Sequence, residues 1–221
     1  MPGVRTQRTG VRTVPRAGAA PPRLGPVRSP ITPEDAEELE LSGAGHRQLA
    51  DRLVAWAEEP HPDDALSPRE LLTRAGEQLE LADDVDAALE LYRRAAAADG
   101  TAVPDPRAHL VTLLLQRGER EEALRWDRDL RRSRPEGGAT YEYMGQTWLE
   151  VGDERRALGW YTRGILRHEQ GPPFEDYDLA ALCLARWRLR ERLGHQPDDY
   201  DFIGLGLRRR LDEREQQHRR S

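Results

Sequence analysis

Residues 61–64 read His61-Pro62-Asp63-Asp64, a histidine and two aspartates within four residues. The remaining histidines, 46, 109, 168, 195 and 218, stand alone and show no ligand spacing. Cys183 is the single cysteine, so neither an internal disulfide nor a cysteine-zinc cluster can form, and a small buried side chain is the expectation. Gly204-Leu205-Gly206 lacks the residues that continue a phosphate-binding loop, and no Gly-x-Ser-x-Gly nucleophile turn occurs. Carboxylate pairs such as Glu121-Glu122 belong to solvated helix faces. The sequence thus points to no catalytic residue, no metal site and no cofactor.

The His61–Asp64 segment resembles the zinc-binding segment of the LmbE-like N-acetylglucosaminyl deacetylases. There the motif ends a buried apolar strand and a distant His-x-x-His supplies another ligand. Here a helix ending in Glu58-Glu59 precedes it and no His-x-x-His exists. A turn with helix-capping aspartates is the expectation.

The elements that carry these residues are helical. Ala, Leu, Arg and Glu dominate, and runs of β-branched residues are missing, so an all-α chain follows. Every basic side chain other than histidine is an arginine; there is no lysine and no asparagine, a bias that fits a GC-rich bacterial genome. The net charge is −6, unevenly spread. No acid precedes Glu34, whereas Arg5, Arg8, Arg12, Arg16, Arg23 and Arg28 do; the rest holds 28 arginines against 40 carboxylates. No apolar stretch reaches membrane-spanning length and the N-terminus lacks the apolar segment of a secretory signal, so no membrane contact and a cytoplasmic location are expected.

Residues 1–31 are rich in Pro, Gly, Arg and Thr, bury too little to offset ordering, and are expected to be a disordered basic tail. Residues 32–66 should form capping helices. Thr32-Pro33-Glu34-Asp35 opens a short helix, and Leu49, Leu53 and Trp56 share one face of a second over 46–58. Ser67-Pro68-Arg69-Glu70 is a capping-box start. From there a period sets in. The pairs Ala88-Leu89, Ala123-Leu124 and Ala157-Leu158 recur 35 and 34 residues apart, each followed by an aromatic: Tyr92, Trp126, then Trp160 and Tyr161. Gly76, Val111 and Gly145 precede the pairs, as do Leu79, Leu114 and Trp148. Small residues at Gly76, Ala88, Gly145 and Ala157 let paired helices approach closely. Residues 172–215 should close the far end, with Leu182, Ala185, Leu189 and Leu193 on one stripe, a last helix from Asp199 to about Glu215, and a frayed end at 216–221.

This pattern resembles the tetratricopeptide repeat family over about residues 69–171. Arg107, Asp127 and Gly164 depart from it, standing where the family has two aromatics and an alanine. The resemblance implies a right-handed α-solenoid of three tetratricopeptide-like helix pairs at 67–171 with flanking capping helices. It implies a non-catalytic interaction scaffold that holds a peptide or helix in a concave groove lined by the first helix of each pair. In this chain that register selects Glu70, Thr73, Glu77, Glu80, Ala108, Thr112, Leu115, Glu142, Gln146 and Leu149. The set is acidic with apolar patches and lacks the Lys/Asn clamp with which some members hold carboxylates, so a basic protein or peptide is the expected ligand. The tail at 5–28 is one candidate within the chain. A nucleic-acid accessory role for the arginine-rich termini, Arg208-Arg209-Arg210 included, is the alternative, disfavoured by the acidic body. Oligomeric state is left open.

Overall fold

The computed structural model describes residues 28–218; the expected tail at 1–27 and the last residues, 219–221, lie outside them. Ten helices and no strand occur among the described residues. They are α1 (Pro33–Leu41), α2 (His46–Glu58), α3 (Pro68–Leu81), α4 (Val85–Ala97), α5 (Pro106–Gln116), α6 (Arg120–Ser133), α7 (Gly138–Glu150), α8 (Glu154–Gln170), α9 (Asp176–Arg192) and α10 (Asp199–His218). From α1 to α6 and from α7 to α10 each helix packs on the next, and α5 with α7 and α7 with α9 pack as alternate neighbours. One apolar core runs from Ile31 to Leu189.

Helix starts follow local chemistry. Thr32 and Asp35 form a reciprocal capping box, and Ser67 accepts from the Glu70 amide. The connections α3–α4, α5–α6 and α7–α8 share one turn. Asp83, Gly118 and Gly152 sit at φ 57°, 79° and 75°, and the next amide returns to the helix: Asp84 to Leu79 O, Glu119 to Leu114 O, Asp153 to Trp148 O. Only the first of these turns uses a residue with a Cβ.

The small residues work by close approach. A Cβ on Gly76 would lie 2.6 Å from the Tyr92 ring, and one on Gly145 would overlap Tyr161. The middle pair reverses the sizes: Val111 stands where the others have glycine, and Asp127 where they have tyrosine. Both are buried, Asp127 with 1% of its surface exposed. Its Oδ1 accepts the indole N–H of Trp148 at 3.0 Å and of Trp160 at 2.8 Å, and Arg131 Nη2 lies 2.6 Å from Oδ2. The two other departures also have causes. Arg107 forks onto Asp105 and reaches Ser133 at 2.9 Å. A Cβ on Gly164 would meet Leu182 and Tyr141 at 2.8 Å, so glycine lets α8 seat against α7 and α9.

Two boundaries move. Ile31 is buried and Arg28 forks onto Asp64 while donating to Glu59 O at 2.8 Å, so residues 28–31 belong to the folded body rather than to a tail. α10 runs to His218, beyond the expected end near Glu215. Leu182 and Leu189 are buried as the stripe suggests, but Leu193 is exposed, because α9 ends at Arg192. Arg186 and Arg190 bind Asp198 and Asp201 at the start of α10, and the Gly204 backbone lies so close to Cys183 that a Cβ would sit 2.8 Å from the Cys183 carbonyl carbon. Gly204 is therefore a packing residue.

Candidate functional site

α3, α4, α5 and α7 bring one polar cluster together. His109, on α5, is 5% exposed and lies between two tyrosines. It stacks on Tyr92 at 4.6 Å between ring centroids with a 16° interplanar angle, and meets a tilted Tyr143 at 4.8 Å. Its Nδ1 lies 3.3 Å from Tyr143 Oη and 3.4 Å from Glu80 Oε1. Its Nε2 lies 3.6 Å from Glu77 Oε1, is buried, and makes no hydrogen bond among the described residues. The Tyr92 hydroxyl donates to Glu80. Burial first, and then the Glu80 carboxylate, holds the Tyr92 phenol far above its ordinary range. Burial also pushes Tyr143 up to about 12.

The carboxylates of this face are under-neutralised. Glu77 is held above its ordinary value of 4.5, chiefly by burial; His109 and Arg74 pull it down, and Glu40 and Glu80 push it up. Glu142, on α7, is raised by burial and then by Asp178. Neither carboxylate makes a hydrogen bond or an arginine ion pair among the described residues. Glu70 differs: Arg74 lies 3.4 Å away and reaches Glu40 at 3.3 Å.

The ten residues selected by register divide by environment. Glu77, Glu80 and Glu142 are half-buried with carboxylates on the face, Leu115 and Leu149 are half-buried, and Gln146 is exposed with its amide toward Glu150. Three turn inward instead. Thr73 is buried and returns its hydroxyl to Arg69 O at 2.7 Å. Thr112 is buried, bonded back to Ala108 O at 3.1 Å and paired with the Thr147 hydroxyl at 2.8 Å, and Ala108 is fully buried. The Thr73 hydroxyl is spent on its own helix, the Thr112 hydroxyl also on Thr147, and Ala108 is enclosed, so these three are corrected from lining residues to packing residues. His109 and Tyr143 were not selected. They share one register position with Arg74, and that recurrence was the available signal.

The apparent chemistry of the sequence resolves into structure. Asp64 accepts the Arg28 fork and the amides of Ile31 and His61, both at 2.7 Å, and Arg28 holds its carboxyl well below the usual range. An aspartate so occupied anchors the turn before α3 and has no oxygen to spare for a metal. Arg28, last of the tail arginines, is committed to the same contact. Among the described residues no group of three or more His, Cys, Asp or Glu side chains could hold a metal ion. Cys183 is fully buried, and burial pushes its thiol up to about 11, which makes it a poor nucleophile. No helix among the described residues is long and apolar enough to cross a membrane. No protein-family model, curated protein or solved structure matches the chain.

Proposed function

We propose that this chain is a helical-repeat interaction protein of the tetratricopeptide type. Its pairs α3/α4, α5/α6 and α7/α8 stack as a right-handed solenoid flanked by α1/α2 and α9/α10, and its first-helix face binds a basic peptide or helix without catalysis. The three matching turns and the 35- and 34-residue spacing support the repeat reading. One observation carries the ligand reading: Glu77 and Glu142, one on α3 and one on α7, are half-buried carboxylates with no arginine ion pair among the described residues, in a chain where most such carboxylates have one. An arginine or lysine from a partner would supply the missing charge, and Leu115, Leu149 and Tyr143 beside them would cover its aliphatic stem.

The test is a titration of fluorescent peptides of equal length, basic-apolar against acidic-apolar. The basic peptide should bind, and Glu77→Lys with Glu80→Lys should abolish binding while the helical circular dichroism stays intact. Equal binding of both peptides, or unchanged affinity in the charge-reversed chain, would overturn the reading. A nucleic-acid role would instead show saturable binding to duplex DNA that falls steeply with salt.

A further inference from the structure

α6 and α8 border an open cleft of about 550 Å³, on elements that supply none of the acidic face. Arg131 comes from α6, and Arg155, Arg156 and Arg163 from α8; Asp127 and Asp153 are the acids that line it. The two aspartates hold two of the arginines. Asp127 Oδ2 lies 2.6 Å from Arg131 Nη2 and 3.7 Å from Arg156 Nη1, and Arg156 Nε donates to Asp153 Oδ2 at 2.9 Å. Asp127 is buried and Asp153 keeps 23% of its side chain exposed, against 27% and 34% for Arg131 and Arg156. Arg155 and Arg163 make no ion pair among the described residues. Burial, and then Arg131 nearby, lowers the Arg163 guanidinium below its ordinary value, while Asp127 pulls it up. Gly159 leaves room for it: a Cβ there would lie 2.9 Å from Arg163 Nη1.

Four arginines against two aspartates leave two positive charges uncompensated in one cleft. Two of the guanidinium groups are already fixed, which reduces what a ligand must order. Guanidinium forks match the oxygens of phosphate, and a dianion cancels both surplus charges where a single carboxylate cancels one. We propose that this cleft binds a phosphate-type dianion, inorganic phosphate or a phosphate monoester. Arg155 and Arg163 supply the free charge, and Arg131 and Arg156 are positioned by Asp127 and Asp153. The site is independent of the acidic face and stands or falls separately from it.

The experiment is isothermal titration of the full chain at fixed ionic strength, set with chloride. The probes are inorganic phosphate and N-acetyl-phosphoserine amide, with N-acetylserine amide as the blank. At least one phosphate probe should bind saturably in the millimolar range or tighter, and the tighter of the two shows whether the free ion or the monoester is the natural form. Arg163→Gln and Arg155→Gln should each weaken binding about tenfold, as expected for loss of one charge-assisted contact. Neither residue makes an ion pair with an acid among the described residues, so both variants should keep the wild-type circular dichroism and an unfolding midpoint close to wild type. Should one fail to fold, the other carries the test. No saturable binding of either phosphate probe, binding of the serine blank as tight as that of phosphoserine, or wild-type affinity in a folded variant would overturn the proposal.

Discussion

Asp127 is the residue on which the middle of the chain turns, and its removal gives a magnitude that can be worked from contacts. In Asp127→Ala two buried indole N–H groups, those of Trp148 and Trp160, lose their only acceptor among the described residues. Each orphaned buried donor costs roughly 1–3 kcal/mol. Arg131 also loses its partner, but more than a quarter of its side chain already meets solvent, so that loss is small beside the indoles. The expected destabilisation is about 2–6 kcal/mol, a large share of the stability of an ordinary domain. Asp127→Asn keeps one carbonyl oxygen for the indoles but turns an amide toward Arg131 and Arg156, and should fall between wild type and alanine. Urea denaturation followed by circular dichroism and by tryptophan emission measures both. An alanine variant within about 1 kcal/mol of wild type would refute the assignment of Asp127 as the acceptor for both indoles.

Three further outcomes follow from local geometry. Gly145→Ala would drive a methyl group into the Tyr161 ring and should cost about 1–3 kcal/mol by urea denaturation. Asp83→Gly removes a side chain from a left-handed turn position that glycine occupies at 118 and 152, and should stabilise by about 0.5–1 kcal/mol in the same assay. The Glu77 carboxyl is held above 4.5, so the folded chain binds its proton more tightly than the unfolded chain does. Its ionisation therefore costs stability as pH rises through that raised value, and Glu77→Gln should raise the urea midpoint at neutral pH. A basic ligand needs the ionised form, so its affinity should decline in mildly acidic solution and the decline should be smaller in Glu77→Gln.

The helices were legible because their signals are local. Capping residues at Thr32 and Ser67 and the recurring alanine–leucine pairs act within one turn of backbone, and the structure places helix starts where they predict them. Side-chain direction was harder to read. Register put Thr73, Ala108 and Thr112 on the same strip as Glu77, but a helix face is broad, and a few tens of degrees separate a lining residue from one buried on the next helix. Asp127 looked like a lapse in the pattern because its two indole partners lie 21 and 33 residues away. The arginine cleft was invisible for a related reason: arginines are frequent all along this chain, and only the fold shows which of them lack an acid.

Basic ligands are proposed to bind along the first helices of the pairs. Amide hydrogen exchange of the full chain, with and without a saturating basic-apolar peptide, tests it most directly. Protection gathered on α3, α5 and α7 around Glu77, His109 and Glu142 is the predicted result. Protection confined to α4, α6 and α8, or to α10, would contradict it.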